Sequence, residues 1–362
     1  MYVDDLDTPV LLVDRSRLDA NIREMAGLAA GHGKRLRPHI KTHKCVEIMK
    51  LQLAAGAVGI AAAKVSEAVV MVNGGARDVF IANQIIGEAK ARQLAALATR
   101  AVVSVGVDTS EGVGFAARAA QEQGVSLTLV IEVDTRLGRA GVRTATEAAE
   151  LARSINAEPN LRVGGVFTHE GHLYRAMTSD QRRRAADAAA EVIRRVGAVV
   201  ADVVGSPITI SVGSTPGAEL MAEQAGITEM RPGVYVFSDR MQQRLGRNPG
   251  SCALSVLATV TSVTSDGKCV VDAGVKSLAS DRLVDDASYG DILDRPNWQF
   301  VMASEEHGII LHHGEQVPRP GDKIRIVPNH ACTCVNMHSY LHIVENNEVV
   351  DRWCVDARGR IF

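Results

Sequence analysis

The chain has 362 residues, of which 46 % are apolar and 23 % charged, and both fractions are ordinary for a globular protein. The 40 lysine and arginine residues stand against 42 aspartate and glutamate residues, so the net charge is −2 and the chain lacks the basic excess of a nucleic-acid-binding protein. Aromatic residues make up only 4 %, which leaves few platforms for base stacking. These figures exclude a disordered tail protein and favour a soluble enzyme of about two to three domains.

The N-terminus is acidic and lacks the basic and apolar regions of a secretory signal peptide. The most apolar uncharged stretch, residues 51–63, is shorter than the roughly 20 residues that a membrane-spanning helix needs. We therefore expect a cytoplasmic protein with neither a membrane nor a nucleic acid as partner. In that compartment the 6 cysteines are expected to be thiols.

Short β-branched runs alternate with Ala-rich stretches of helical periodicity from residue 35 to residue 237. The predicted strands are Arg35–Lys41, Val58–Ala63, Asp78–Asn83, Ala101–Asp108, Ser126–Asp134, Leu161–His169, Ile208–Gly213 and Glu229–Phe237. The clearest predicted helices are Glu88–Arg100, Ser110–Gln123, Thr144–Ile155 and Asp180–Val199. Near-continuous apolar strands that alternate with helices are typical of a parallel sheet covered on both faces. The pattern predicts an α/β fold, a (β/α)8 TIM-type barrel, with an open doubly wound sheet as the alternative.

The pattern changes after about residue 245, where turn signals separate short strands and no helical periodicity is found. The predicted strands are Ser255–Ser265, Lys268–Asp272, Gly308–His312, Lys323–Val327 and Tyr340–Val344. We expect Leu6–Val13 to pair with this antiparallel β domain before the chain enters the barrel. The predicted domains are therefore a barrel of residues 10–242 and a β domain of residues 243–362 with residues 1–9.

A basic segment, Arg37–Lys44, lies where the first predicted strand ends. Its Lys41 falls at the carboxyl end of the strand, where barrel enzymes place their reacting groups. A lysine amine at that position can form a Schiff base with an aldehyde. The alternative interpretation is a solvated basic loop on the surface.

A run of small residues follows the seventh predicted strand and includes Gly213, Ser214 and Thr215. Small residues let the backbone approach an anion, which N–H groups and hydroxyls can then bind. Gly233 and Tyr235 lie in the eighth strand, where the phenol can donate to the same anion. A lysine and a phosphate cup at one barrel mouth are what pyridoxal phosphate requires. A plain Gly/Pro turn with a helix cap is the alternative.

A His-x-Cys pair, His330 and Cys332, lies in the β domain. Imidazole and thiolate together suit Zn²⁺, and on a strand both side chains would point the same way. Two protein ligands leave positions open for water or substrate, as in a catalytic metal site. A buried cysteine beside an incidental histidine is the alternative, and Cys334 and His338 are further candidate ligands.

Polar residues also end the fifth and sixth predicted strands. Arg139 can hold the cofactor's phenolate oxygen or the substrate carboxylate, although it can equally be a surface arginine near a turn. His169 and His172 are candidates for stacking on the cofactor or for proton transfer. We add His39 and Tyr174 to the candidate cofactor-binding residues.

The segment Pro38–Lys44, the Gly213–Thr215 cup and the His330–Cys332 pair together resemble the D-serine dehydratase and D-threonine aldolase family, in the alanine racemase-like class (fold type III) of pyridoxal phosphate enzymes. The similarity runs from Asp7 to Gly359. It implies a barrel followed by a β domain, a homodimer, and Lys41 as the residue that carries pyridoxal 5'-phosphate. Dehydratases of this family carry His-x-Cys with zinc, whereas the aldolases carry His-x-Asp with manganese or similar ions. Cys332 therefore favours zinc, with Mn or Mg as alternatives.

The resemblance and the metal pair together predict a lyase that eliminates water from a small 3-hydroxy D-amino acid such as D-serine, with later release of ammonia. Lys41 would remove the Cα proton. The alternative is retro-aldol cleavage to glycine and an aldehyde, with His172 or a metal-bound hydroxide as the base. An amino-acid racemase and a non-catalytic carrier of pyridoxal phosphate are further alternatives, but neither has a use for the metal pair.

Overall fold

The computed structural model describes residues 1–283, 286–293, 295–312 and 317–362. The chain forms two compact units. The barrel unit comprises Glu24–Lys41, Ile48–Gly233 and Arg360–Phe362, and the β unit comprises Met1–Arg23, Thr42–Glu47 and Val234–Gly359. The domain boundaries predicted above stay a prediction.

The strands, in chain order, are β1 Val10–Asp14, β2 Arg35–Leu36, β3 Ile60–Ala62, β4 Asp78–Gln84, β5 Val102–Val107, β6 Leu127–Glu132, β7 Leu161–Phe167, β8 Thr209–Val212, β9 Glu229–Met230, β10 Leu254–Val263, β11 Lys268–Val271, β12 Gly290–Ile292, β13 Gln299–Ala303, β14 Gly308–Leu311, β15 Lys323–Pro328, β16 Tyr340–Glu345 and β17 Glu348–Cys354.

The α-helices are α1 Arg15–Gly31, α2 Val46–Ala54, α3 Val65–Asn73, α4 Glu88–Ala98, α5 Ser110–Gln123, α6 Ala145–Asn156, α7 Ser179–Val204, α8 Ala218–Ala222, α9 Arg240–Arg244, α10 Val275–Leu278 and α11 Ala331–Met337. Short 3₁₀ helices cover Val3–Asp5, Ile40–Thr42, Gly171–Arg175, Val234–Val236 and Pro249–Ser251.

The barrel unit is built on an 8-stranded parallel sheet, in the order β2-β9-β8-β7-β6-β5-β4-β3. A parallel bridge between His39 and Ala61 joins the two ends of this sheet. Phe80 and Phe167 are buried and meet edge to face, with ring centroids 5.1 Å apart. The predicted (β/α)8 barrel is confirmed.

Two predicted barrel strands are much shorter than the sequence pattern indicated. The first ends at Leu36 and a 3₁₀ turn covers Ile40–Thr42, while the eighth is only Glu229–Met230. Pro38 and Pro232 follow these strands closely, and a proline has no N–H to donate to a sheet. Lys41 and Tyr235 consequently lie in turns after the strands.

The helices of the barrel unit follow their predicted ranges closely. Helix α5 begins after Thr109, whose hydroxyl accepts a hydrogen bond from Gly112 N–H at 3.2 Å, and ends at Gly124 in the left-handed conformation. Helix α7 runs to Val204, five residues beyond the predicted end, and is stopped by Gly205 at φ 73°. No helix in the described ranges is both long and apolar enough to span a bilayer.

The β unit contains a mostly antiparallel sheet. Strand β1 pairs with β10 in antiparallel and with β16 in parallel register, which confirms the expected pairing of the N-terminal segment. The sheet continues in the order β13-β14-β11-β10-β1-β16-β17, and β15 pairs with β10 and β12. The predicted antiparallel β domain is thereby confirmed. No disulfide joins the 6 cysteines, all of which lie in the described ranges.

The expectation that the β domain has no helices is wrong. Helix α11 covers Ala331–Met337, the segment that contains the predicted metal ligand Cys332. Its first N–H, on Ala331, donates to the carboxylate of Asp239 at 3.0 Å. A partner 92 residues away in sequence therefore caps this short helix, and local periodicity does not reveal such a partner.

Candidate active site

Lys41 is half-buried and lies beyond the carboxyl end of β2. Its backbone N–H donates to His39 Nδ1 at 3.3 Å. The N–H of His39 donates in turn to the carbonyl of Pro232 at 3.0 Å, next to the end of β9. Backbone contacts with the neighbouring strand end therefore hold the lysine turn at the carboxyl mouth of the barrel.

His169 follows β7 at the same end of the barrel. Its Nδ1 donates to the carbonyl of Gly213. Burial, and then the nearby cations of Lys41, Arg139 and Arg231, lower the pKa of His169 to about 3. The ring is therefore neutral near pH 7 and presents an unprotonated Nε2, so it can stack or accept a hydrogen bond without adding charge.

The neutral state of His169 predicts a pH dependence of stability. An unfolded histidine takes up a proton near pH 6.5, whereas folded His169 does so near pH 3, so stability is lost as the pH falls between these values. His169→Asn keeps an N–H donor for the Gly213 carbonyl but cannot titrate. The free energy of unfolding, measured with urea, should fall between pH 7.5 and pH 5 by about 1–2 kcal/mol more in the wild type than in the variant. Equal losses would contradict the buried neutral histidine.

The small residues after β8 form a buried turn. The N–H of Gly213 donates to Glu170 Oε1 at 3.1 Å, and its carbonyl accepts from His169. A Cβ at Gly213 would lie 3.1 Å from the Cβ and the carbonyl oxygen of Arg231. Gly213 therefore shapes this turn, in which Ser214 and Thr215 are also buried.

Arg231 is a buried cation behind the turn. Its Nη2 donates to the carbonyl of Thr168 at 2.8 Å and its Nη1 donates to the hydroxyl of Ser211. The guanidinium lies 5.3 Å and 5.1 Å from the ring centroids of Phe80 and Phe167. It thus links the ends of β7 and β8 to the aromatic barrel interior.

Sequence reasoning gave no role to Glu170. This side chain is completely buried, and its burial raises the pKa of the carboxyl. Besides the Gly213 N–H, the hydroxyl of Ser214 hydrogen-bonds to it. In the sequence, Glu170 could be noticed only as a single glutamate after an apolar strand. That its carboxylate supports the turn at Gly213 is evident only from the folded structure.

The other predicted cofactor residues occupy different surroundings. Arg139 is exposed, with its Nη2 3.2 Å from Glu132 Oε1. Gly233 follows Pro232 in the barrel unit, whereas Tyr235 is completely buried in the β unit.

His172 and Tyr174 lie in the 3₁₀ helix Gly171–Arg175 and are half-buried. Burial lowers the pKa of His172, which hydrogen-bonds to the backbone of Ala185 in α7. The contacts of the described residues thus bring Lys41, His39, His169, Arg139 and the turn after β8 together. His172 instead contacts α7 through the backbone of Ala185.

The predicted metal pair lies at the start of α11. His330 is the residue before the helix and Cys332 its second residue, so the predicted strand geometry is wrong. The two side chains nevertheless meet, because Cys332 hydrogen-bonds to the ring of His330. On the other side of the ring, Nδ1 lies 3.1 Å from Asp239 Oδ2.

The segment after Lys41 belongs to the β unit and contacts the metal pair. The hydroxyl of Thr42 lies 3.2 Å from Cys332 Sγ. Lys44 Nζ donates to Asn336 Oδ1 at 2.8 Å, and the Lys44 carbonyl accepts from Ala357 N–H at 2.9 Å. The residue that directly follows the predicted cofactor lysine in sequence therefore touches a predicted metal ligand.

The further candidate ligands have other partners. The Cys334 thiol donates to the Ser277 carbonyl at 3.1 Å, and His338 Nε2 donates to the same carbonyl at 2.8 Å. Burial raises the pKa of Cys334. In the described part of the chain no group of three or more His, Cys, Asp or Glu side chains is arranged to hold a metal. His330 and Cys332, whose side chains meet, stay the predicted pair of protein ligands.

Comparison with known proteins identifies the family of this chain. The family model of the alanine racemase N-terminal domain matches residues 13–241, and that of the serine dehydratase domain matches residues 253–344. The chain is 33 % identical over 358 residues to a D-threonine aldolase of Arthrobacter sp., with 98 % of this chain and 93 % of that protein covered. It is 29 % identical over 393 residues to the D-serine dehydratase of Dictyostelium discoideum, with 96 % of each covered.

Solved structures lead to the same group. The D-threonine aldolase of Filomicrobium marinum superimposes with a TM-score of 0.92 at 32 % identity, covering 99 % of this chain and 98 % of that one. The D-threo-3-hydroxyaspartate dehydratase of Delftia sp. HT23 superimposes with a TM-score of 0.89 at 31 % identity, covering 98 % of both. The resemblance is confirmed: this chain belongs to the alanine racemase-like family that includes these D-hydroxy-amino-acid lyases.

Proposed function

We propose that this protein is a pyridoxal phosphate- and metal-dependent lyase that eliminates water from 3-hydroxy D-amino acids such as D-serine. The net products are ammonia and a 2-oxo acid, because the water that is eliminated is balanced by the water that hydrolyses the enamine. The observation that carries this proposal is the His330–Cys332 pair at the start of α11, where the imidazole ring and the cysteine sulfur meet. Thiolate as the second ligand favours the dehydratase reaction over the aldolase reaction.

The Delftia dehydratase supports this choice. Its structures include one with a histidine replaced by alanine, and one with a cysteine replaced by alanine that is in the metal-free form. The two replaced residues are two positions apart in that chain, as are His330 and Cys332 here. Sequence identity does not separate the activities, because the Arthrobacter aldolase and the Delftia dehydratase are both 33 % identical to this chain.

The residues of the barrel unit fit pyridoxal phosphate. Lys41 supplies an amine, His169 a neutral ring for stacking, and the buried turn at Ser214 and Thr215 supplies phosphate donors. Arg139 is a cation for the phenolate oxygen or the substrate carboxylate. His39, Tyr174 and Gly233 of the barrel unit complete the proposed set, together with Tyr235, which belongs to the β unit. When bound, this cofactor withdraws electrons from the Cα–H bond of an amino acid.

The chain's own residues then have defined tasks. The amine of Lys41 takes the proton from Cα, and the neutral ring of His169 leaves the local charge unchanged. His330 and Cys332 would hold a divalent metal, zinc in preference to manganese or magnesium, which would supply Lewis acidity at the β-hydroxyl. The Cα–H and Cβ–O bonds break, water leaves, and the resulting enamine is hydrolysed to the 2-oxo acid and ammonia.

We propose that the two domains hold different groups. The barrel domain, residues 10–242, holds the cofactor, and the β domain, residues 243–362 with 1–9, holds the metal. From the family we further propose a homodimer.

Retro-aldol cleavage to glycine and an aldehyde is the second candidate function. It is favoured by the Filomicrobium aldolase, whose structure superimposes with the TM-score of 0.92. This reaction needs a base at the β-hydroxyl, a role for which His172 is the proposed residue.

A product assay distinguishes the two reactions. Purified holoenzyme is incubated with D-serine, D-threonine and D-threo-3-hydroxyaspartate, and 2-oxo acid, ammonia, glycine and aldehyde are measured. We expect equimolar 2-oxo acid and ammonia from at least one substrate. Glycine and an aldehyde as the only products would contradict the dehydratase function and support the aldolase function. The L-isomers serve as the control for stereospecificity.

A further inference from the structure

A buried carboxylate stands behind the metal pair. Asp239 is 0 % exposed and lies directly before α9 in the β unit. Its Oδ1 accepts from Gln242 N–H at 2.9 Å, while its Oδ2 accepts from His330 Nδ1 at 3.1 Å and from Ala331 N–H at 3.0 Å. One side chain therefore caps both α9 and α11 and binds the ring between them.

This contact determines which ring nitrogen faces outward. Because Asp239 Oδ2 is an acceptor, the Nδ1 of His330 carries a hydrogen, so Nε2 is the ring nitrogen that can bind a metal. A neutral imidazole binds a metal through the lone pair on that nitrogen, and a carboxylate on the other nitrogen fixes both the tautomer and the ring orientation.

We propose that Asp239 is the positioning residue of the metal pair, which holds His330 with Nε2 directed to the metal; this inference rests on the metal-dependent function proposed above. Asp239 is not a ligand itself, because N–H donors already occupy both of its oxygens. It acts through His330, while Cys332 has a separate neighbour in the Thr42 hydroxyl.

The backbone next to His330 is held from the same helix. Arg240, which follows Asp239, donates from Nη1 to Asn329 Oδ1 at 3.1 Å. The Nδ2 of Asn329 donates to the carbonyls of Asp281 at 2.8 Å and Ser288 at 2.7 Å. At the start of α9, Asp239 thus binds His330 and Arg240 binds Asn329, the two residues that precede α11. Because Arg240 and Asn329 keep their contacts, we expect the backbone to stay in place when only the Asp239 carboxylate is changed.

The test uses two substitutions that retain a helix cap. Asp239→Ser can still accept from Gln242 N–H but is too short to reach His330, and Asp239→Asn has one acceptor oxygen for the three N–H donors that Asp239 serves. Asn248→Ala, which removes the cap of the 3₁₀ helix Pro249–Ser251, is the control for loss of a cap elsewhere in the β unit. Zn²⁺ affinity is measured by chelator competition, and the ligand set by the absorption spectrum of the Co²⁺-loaded chain.

We expect Asp239→Ser and Asp239→Asn to weaken Zn²⁺ binding about 10–100-fold and to alter the Co²⁺ spectrum, with Asn248→Ala unchanged. His330→Ala should abolish binding. Wild-type affinity in both Asp239 variants, together with loss in His330→Ala, would overturn the inference but keep the metal site. A wild-type chain that binds no metal would overturn both.

If these variants do not fold, the inference can still be tested on the wild-type protein. The ¹⁵N spectrum of histidine-labelled, Zn²⁺-loaded protein, assigned with His330→Gln, should show a protonated Nδ1 on His330. A protonated Nε2 would overturn the inference.

Discussion

Lys41→Ala is expected to lower kcat by about 1,000-fold or more. The substitution removes both the amine that attaches the cofactor and the base that takes the Cα proton, and general base catalysis alone contributes about 10²–10⁴-fold. Turnover is measured as 2-oxo acid formation with saturating pyridoxal phosphate. Zn²⁺ content should stay at the wild-type value, because Lys41 is in the barrel unit and contributes no ligand to the metal pair.

The attachment point can be identified independently of activity. Borohydride reduction of the wild-type holoenzyme, followed by peptide mass spectrometry, should find the cofactor mass on Lys41. Lys44→Ala is the matched control, because Lys44 belongs to the same basic segment but its Nζ hydrogen-bonds to Asn336. Cofactor attached to Lys44, or retained covalently in Lys41→Ala, would contradict the assignment of Lys41.

Cys332→Ala is expected to remove the metal and to lower dehydratase turnover by about 100-fold or more, because a Lewis acid stabilises the departing hydroxide by several kcal/mol. Metal analysis after dialysis and 2-oxo acid formation from D-serine measure the two effects. The cofactor should still be attached to Lys41, which separates this defect from the previous one.

Two other cysteines make this prediction specific. Cys354→Ala removes an exposed thiol in β17 and should leave metal content unchanged. Loss of the metal in Cys334→Ala, with retention in Cys332→Ala, would show that the wrong thiol was chosen. Full activity of a metal-free Cys332→Ala chain would exclude the Lewis-acid role.

The barrel could be predicted because its signal is local. Apolar β-branched strands and Ala-rich helices differ in period, and every predicted barrel helix is present in the structure, with α5 at its predicted bounds. Two kinds of prediction failed: strand ends that a nearby proline cuts short, and a helix that a distant residue caps. The proline-flanked ends of β2 and β9 are turns, and α11 depends on a cap from Asp239.

In the candidate site, too, some residues could be predicted from the sequence and others could not. Lys41, His330 and Cys332 stand out in the sequence because their chemistry is specific and their neighbours are unusual. Glu170 and Asp239 do not, because a single carboxylate in a sequence carries no sign of being buried or of which N–H groups it binds.

By itself the sequence determined the barrel, the β domain and the residue types of a cofactor lysine and a metal pair, since periodicity and short motifs are properties of neighbouring residues. The tertiary structure alone decided how those residues are held. It showed a neutral His169 beside Lys41, a turn supported by Glu170, and a His330 ring oriented by Asp239. These properties depend on burial and on hydrogen bonds between distant segments, which exist only once the chain is folded.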